Sequence, residues 1–369
     1  MKKRLMAMSI ANLLVDEYTQ EYVATIYDYQ VAEDGETIEW DLAQYNPPSG
    51  YENYDSFINK TIERVDALID LDFQYSSNLD TDLDIYINGE SGDGTLGLFW
   101  QYYTYGEIDV FVTSSETTQS NKNTFVHELG HYLGLGEPGY DDRYDQIDSV
   151  MSYNKSNKID GGFRTWFSST DVDILLEYFG PENDGDVNVV EGDINGNAVI
   201  GSTAKHDFLV GYGGNDYMQG NRGRDSLFGG SGNDELRAGN GRDVINGGDG
   251  MDDLYGGFGL NTFEEALDGE VDSLFFKSDQ HAYNWIYDKD GNSPNGKKAD
   301  KIMELDPFDE IFVQGVETEE LSFENVVHYS NLGETLDGIG IYASGTLEAV
   351  YVGDNLSISQ LESMTQGII

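Results

Sequence analysis

Gly229-Gly230-Ser231-Gly232-Asn233-Asp234-Glu235-Leu236-Arg237 and Gly247-Gly248-Asp249-Gly250-Met251-Asp252-Asp253-Leu254-Tyr255 are two units of one nine-residue pattern. The register holds through Asp207, Asp216, Asp225, Asp234, Asp243 and Asp252. Two positions after each aspartate comes an apolar residue: Leu209, Met218, Leu227, Leu236, Ile245 and Leu254. A period this strict decides a fold, because a short unit buries its one apolar residue only by stacking on its neighbours. Glycines permit tight turns, and the aspartates place hard carboxylate oxygens at fixed intervals, the ligand type that calcium takes. A flexible glycine-rich linker would keep no such period.

These units match the RTX nonapeptide. The resemblance implies an all-β parallel β-roll over 193–264, in which neighbouring turns share several structural Ca2+ ions held by the six aspartates named above. The flanking units are degenerate, as terminal repeats often are: 193–201 and 202–210 lack several glycines, and Asn261 replaces the aspartate of 256–264. Without calcium, repelling carboxylates and glycine entropy predict a largely disordered segment. RTX proteins are typically exported unfolded through a bacterial type I channel, led by an uncleaved C-terminal signal, and fold on external calcium. The resemblance therefore implies an extracellular protein. The ending Met364-Thr365-Gln366-Gly367-Ile368-Ile369 departs from that pattern, having no acidic residue immediately before its final apolar pair.

Composition agrees with a cation-dependent chain. The 369 residues include 69 Asp and Glu against 20 Lys and Arg, a formal charge of −49 that opposes compaction unless bound cations neutralise it. Such a surface repels phosphate backbones and anionic lipids, which argues against nucleic acid or peripheral membrane as partner. The absence of cysteine excludes disulfides, thiol nucleophiles and zinc-thiolate sites. No stretch approaches the length of a membrane span. Residues 1–17, with the basic start Met1-Lys2-Lys3-Arg4, read as a cleavable signal, an N-terminal helix or a short pro-segment.

Ahead of the repeats, residues 18–181 read as a mixed α and β domain. Phe57, Ile58, Ile62, Val65, Leu68 and Ile69 predict an amphipathic helix over 54–71, capped by Asn53 or Asp55. Strands are predicted at 83–87, 95–103 and 108–112, then helices from about Asn123 to Leu133 and from Thr170 to Phe179, the last stopped by Gly180-Pro181. Residues 182–192 read as an acidic linker, and 265–369 as a β-rich C-terminal cap carrying the secretion signal.

The second helix holds His127-Glu128-Leu129-Gly130-His131. Residues four apart on a helix lie one turn above each other, so two imidazoles can meet one zinc ion beside a carboxylate able to take a proton from water. Gly134 can take the left-handed conformation that ends the helix and turns the chain back toward the metal. With Ser149-Val150-Met151-Ser152-Tyr153 similar to a methionine turn, the domain resembles the metzincin peptidases, particularly the serralysins. Lys301 to Ile311 is the part of the C-terminal region most similar to that family.

This resemblance implies an α+β metzincin-type catalytic domain, a zinc metalloendopeptidase with one catalytic Zn2+ and a protein or peptide substrate. Glu128 would be the general base and Tyr153 a zinc contact and oxyanion helper. The edge strand over 95–103 would line the cleft, where an extended peptide can pair its backbone. His127 and His131 are ligands. The family's third histidine is replaced by Glu137, read as the third ligand, with Asp141, Asp142 and Asp145 as competitors. The rival reading is a catalytically silent, calcium-binding extracellular surface or matrix protein. A monomer is expected.

Overall fold

In Leu83–Asn88 burial alternates strictly, with Leu83, Ile85 and Ile87 inside, the signature of a half-buried strand. The computed structural model describes residues 37–45, 54–77, 81–89, 96–101, 105–112, 118–135, 146, 149–156, 164–182, 187–203, 205–264, 268–278, 299–329, 335–353 and 355–369. Two compact units divide at Asp184 and Gly185. Residues 1–17 and Asn53 lie outside the described residues.

The first unit is built on a five-stranded sheet in the order β2-β1-β3-β5-β4. β1 (Thr37–Tyr45), β2 (Asp72–Tyr75), β3 (Leu83–Asn88) and β5 (Gly106–Phe111) run parallel, and β4 (Gly97–Gln101) lies antiparallel to β5 at the edge. Ile38, Trp40, Ile108 and Val110 join the β3 side chains in the core. α1 (Tyr54–Asp66) buries Tyr54, Ile58, Ile62 and Val65 at helical spacing. It stops short of the predicted 71, and Ile69 instead bridges Pro181. α2 (Thr118–Tyr132) packs against β4 and β5. It begins before Asn123 because its first turns are polar yet buried, including Ser120 and Asn121, which apolar periodicity does not register. α3 (Ser169–Phe179) opens on a capping box between Ser168 and Asp171 and ends at Gly180, φ 78°.

The second unit is a roll of two facing parallel sheets. One contains β6 (Val187–Asp193), β8 (His206–Tyr212), β10 (Ser226–Ser231), β12 (Val244–Asp249), β14 (Thr262–Phe263), β16 (Asp300–Ile302) and β20 (Thr346–Tyr351). The other contains β7 (Ala198–Ile200), β9 (Tyr217–Gly223), β11 (Glu235–Gly241), β13 (Asp253–Gly259), β15 (Ser273–Lys277), β17 (Glu310–Gln314) and β21 (Thr365–Ile368). Successive nonapeptides fall in opposite sheets, so each strand pairs with the one two units on: Leu227 with Ile245, Leu236 with Leu254. One coil is therefore two repeats. Leu209, Met218, Leu227, Leu236, Ile245 and Leu254 are all fully buried in one core, as the spacing predicts.

Two boundaries differ from the sequence reading. The second half of the 182–192 linker is strand β6, paired with β8. Nor does the roll end at Glu264. Leu254 pairs with Leu274 and Leu274 with Ile311, so both sheets run on in parallel through segments read as a separate cap. Longer connections break the nine-residue count there while leaving strand pairing intact. Among the described residues of this unit, antiparallel pairing lies at one edge, where β18 (Leu321–Tyr329) and β19 (Thr335–Ala343) extend from β20, and α4 (Ile358–Met364) precedes β21.

Candidate functional site

Helix α2 carries His127, Glu128 and His131 on its buried side, His127 and Glu128 being 5 % and 8 % exposed. The two imidazoles lie edge to face with centroids 4.8 Å apart. Nδ1 of His127 faces the Val150 carbonyl at 3.2 Å, and Nδ1 of His131 the Leu135 carbonyl at 3.1 Å. A carbonyl only accepts, so each Nδ1 carries the proton and a neutral ring keeps its lone pair on Nε2, the arrangement a metal-ligating histidine uses.

The helix ends as the sequence predicts. Gly134 takes φ 88°, its N–H donates to the His131 carbonyl, and the Leu135 N–H reaches back to the Gly130 carbonyl. These are the paired bonds of a Schellman cap. They place the very carbonyl that holds His131. Glu137, Asp141, Asp142 and Asp145 lie outside the described residues, and among the described residues no set of three histidine or carboxylate side chains converges as a metal site.

Edge strand β4 crosses the helix beside Glu128. A Cβ built on Gly97 would stand 2.6 Å from Glu128 Oε1, so only glycine lets the strand approach the carboxylate this closely. On the other side the turn 149–152 packs its Met151 sulfur against Gly130. Tyr153, 41 % exposed, stacks its ring on His127 at 5.2 Å.

Sequence reasoning missed what holds that turn. Asp171, buried at the start of α3, accepts hydrogen bonds from the Val150 N–H (2.8 Å), the Ser149 hydroxyl (2.7 Å), and the Ser168 N–H and hydroxyl (both 2.9 Å). Val150 in turn offers its carbonyl to His127 and to the Gln146 amide. Gln146 accepts from Asn123 on α2 and from the Arg164 N–H. The Ser168-x-x-Asp171 capping pattern was readable, but its reach to a turn twenty residues earlier was not. Burial holds the Asp171 carboxyl above its ordinary value, against the opposing pull of its hydrogen bonds.

In the roll, Asp207, Asp216, Asp225, Asp234, Asp243 and Asp252 are all buried and form two ladders with an eighteen-residue step. The N–H of each of Asp207, Asp216, Asp225 and Asp234 donates to Oδ1 of the aspartate two repeats on, at 2.7 to 3.0 Å. Asn261 takes the acceptor role for Asp243, and the ladders continue beyond the recognisable repeats through Asp272, Asp300 and Asp309. The other oxygen, Oδ2, of Asp216, Asp225, Asp234, Asp243 and Asp252 is buried with no partner. Asp207 differs: its Oδ2 accepts from the Ser202 N–H.

A buried carboxylate oxygen without a donor is costly, and the structure shows the cost. Burial pushes Asp216 up to about 6, Asp225, Asp234 and Asp243 to about 7, and Asp252 to about 9. A Cβ built at Gly229 would stand 2.4 Å from both Asp234 Oδ2 and the Gly247 carbonyl, so a glycine leaves the space onto which these oxygens open. Orphan carboxylate oxygens beside backbone carbonyls are a donor set that fits calcium.

The family pattern described as RTX calcium-binding nonapeptide repeat (4 copies) matches residues 202–236 and 228–263. The chain carries RTX repeats. The RTX segment coincides with the aspartate ladders and implies structural calcium. RTX repeats are typical of secreted bacterial proteins, and among the described residues no helix is long and apolar enough to cross a membrane. A search of curated proteins finds no match to this chain.

Proposed function

We propose that the chain is a secreted zinc-dependent endopeptidase whose RTX roll folds on calcium. The observation that carries the proposal is the imidazole pair of α2, each ring locked through Nδ1 to a backbone carbonyl with Glu128 beside it. His127 and His131, with Glu137 as third ligand, would hold the zinc, which when bound supplies a Lewis acid and a water of lowered pKa. Glu128 takes the proton of the attacking water on its carboxylate and delivers it to the leaving amine nitrogen. The Tyr153 hydroxyl donates a hydrogen bond to the scissile carbonyl oxygen as charge develops there. An antiparallel edge strand beside Glu128 supports the reading further, since β4 can pair with an extended peptide whatever its sequence. Type I export, with the C-terminal residues as signal, belongs to the same proposal.

A second reading rests on Glu137, a charged residue where the serralysin pattern has histidine. It weakens the positive field of a zinc centre, and the catalytic unit would then be silent, leaving a calcium-binding surface or matrix protein. Casein digestion by zinc- and calcium-loaded protein separates the two. The peptidase reading expects cleavage throughout casein, and a loss of about two to four orders of magnitude in Glu128→Gln with zinc retained. Equal inertness of the two proteins favours the silent reading.

A further inference from the structure

The outer face of the seven-stranded sheet carries a trough of about 860 Å³ that the RTX repeats do not require. One wall is a row in strand register, Arg237, Tyr255 and Phe275, which Phe312 continues beyond the trough. Tyr255 and Phe275 stack at 4.3 Å, Phe275 and Phe312 at 4.7 Å, and the Arg237 guanidinium lies 4.7 Å over Tyr255. The opposite wall holds Arg222, Asn240, Phe258 and Lys277, the lysine 3.8 Å over the Phe258 ring. Between them Gly239 and Gly257 leave the floor without side chains. The trough runs from β9 to β17, four inter-strand steps or on the order of 19 Å.

We propose that this trough binds an acidic polysaccharide, a chain bearing uronate carboxylates. Among the described residues its lining includes three cations and no acidic residue, in a chain with 69 acidic residues against 20 basic ones. An outer row with Glu235, Asp253 and Glu310 lies beyond the aromatic wall, and Glu235 engages Arg237 only through Nε, at 2.5 Å. The rest of that guanidinium stays available for a bidentate carboxylate contact. Measured along the trough, Arg237 on one wall and Lys277 on the other are offset by two strands, about 10 Å, close to the disaccharide repeat of an extended sugar chain. Gln219, Asn221, Asn240 and Gln314 add amides that both donate and accept, as hydroxyls demand. The trough crosses the face of the sheet and offers no strand edge to a peptide backbone, which favours a sugar over an acidic peptide.

The test uses the full calcium-loaded chain and hyaluronan oligosaccharides, whose alternating glucuronates do not gel with calcium, followed by titration calorimetry. Saturable binding is expected, with no binding of neutral dextran oligosaccharides. Arg222→Glu and Lys277→Ala should each weaken binding about tenfold, with the calcium-dependent circular dichroism unchanged. Arg222 is exposed, so its replacement leaves the roll intact. Absence of hyaluronan binding, or binding that neither variant weakens, overturns the proposal. So does polyglutamate binding as tightly with the same variant losses, which would assign the trough to acidic peptides.

Discussion

Asp171 never faces the imidazoles, yet its four hydrogen bonds fix the turn whose Val150 carbonyl orients His127. Two of its partners, the Val150 and Ser168 N–H groups, can only donate, so Asp171→Ala leaves both without an acceptor in a buried site. The variant is expected to lose about 1–3 kcal/mol of stability from the unsatisfied groups. It should also lose about 10- to 100-fold in zinc affinity or kcat, as outer partners of metal ligands commonly do. Thermal unfolding and chelator competition measure the two separately. Loss of stability with unchanged zinc affinity would make Asp171 purely structural. At this scale the sequence exposed the imidazole pair, because helical spacing alone brings His127 and His131 together. It concealed Asp171, Gln146 and Asn123, whose roles depend on contacts between segments distant along the chain.

At the scale of elements, the roll was legible wherever the nine-residue count held. Alternate apolar residues and aspartates gave both the core and the ladders. Past Phe263 the count fails: Asp272 follows Asp252 by twenty positions, and Asp309 follows Asp272 by thirty-seven. Pairing tolerates long connections, whereas a fixed-period reading does not, and so the sequence alone presents the continuation as a separate cap. Strand β1 escapes the sequence reading because Ile38, Trp40 and Leu42 alternate with polar residues only briefly before Ala43 breaks the period, and only the first two are buried. The ladder itself makes a prediction. In Asp243→Asn the amide oxygen can still accept the Asp225 N–H, but the orphan oxygen and its charge are gone. The calcium midpoint for folding, followed by circular dichroism, should rise on the order of tenfold, since ligand charge sets affinity. Asp253→Asn, at an exposed position, should leave it unchanged.

For the whole molecule, a charge of −49 and a row of buried carboxylates, each with one oxygen lacking a donor, make calcium a folding partner. The sign of the pH dependence follows. The folded-state values of Asp216, Asp225, Asp234, Asp243 and Asp252 stand at about 6 to 9, above the ordinary 3.8. The stability that their neutral forms contribute is thus fully present below pH 3.8 and is lost as pH rises through that interval. In EGTA the roll should be most structured near pH 4 and largely unfolded at pH 8, and calcium should restore it at pH 8. A calcium-free dichroism signal that is flat across this range would contradict the assignment.

The central claim is that α2 presents a zinc site, and X-ray absorption at the zinc edge on the calcium-loaded protein tests it most directly. The account predicts one zinc per chain, with two imidazole nitrogens at about 2.0–2.1 Å and carboxylate or water oxygen completing the sphere, and loss of both imidazoles in His127→Ala/His131→Ala. A protein that binds no zinc, or binds it without imidazole, would contradict it.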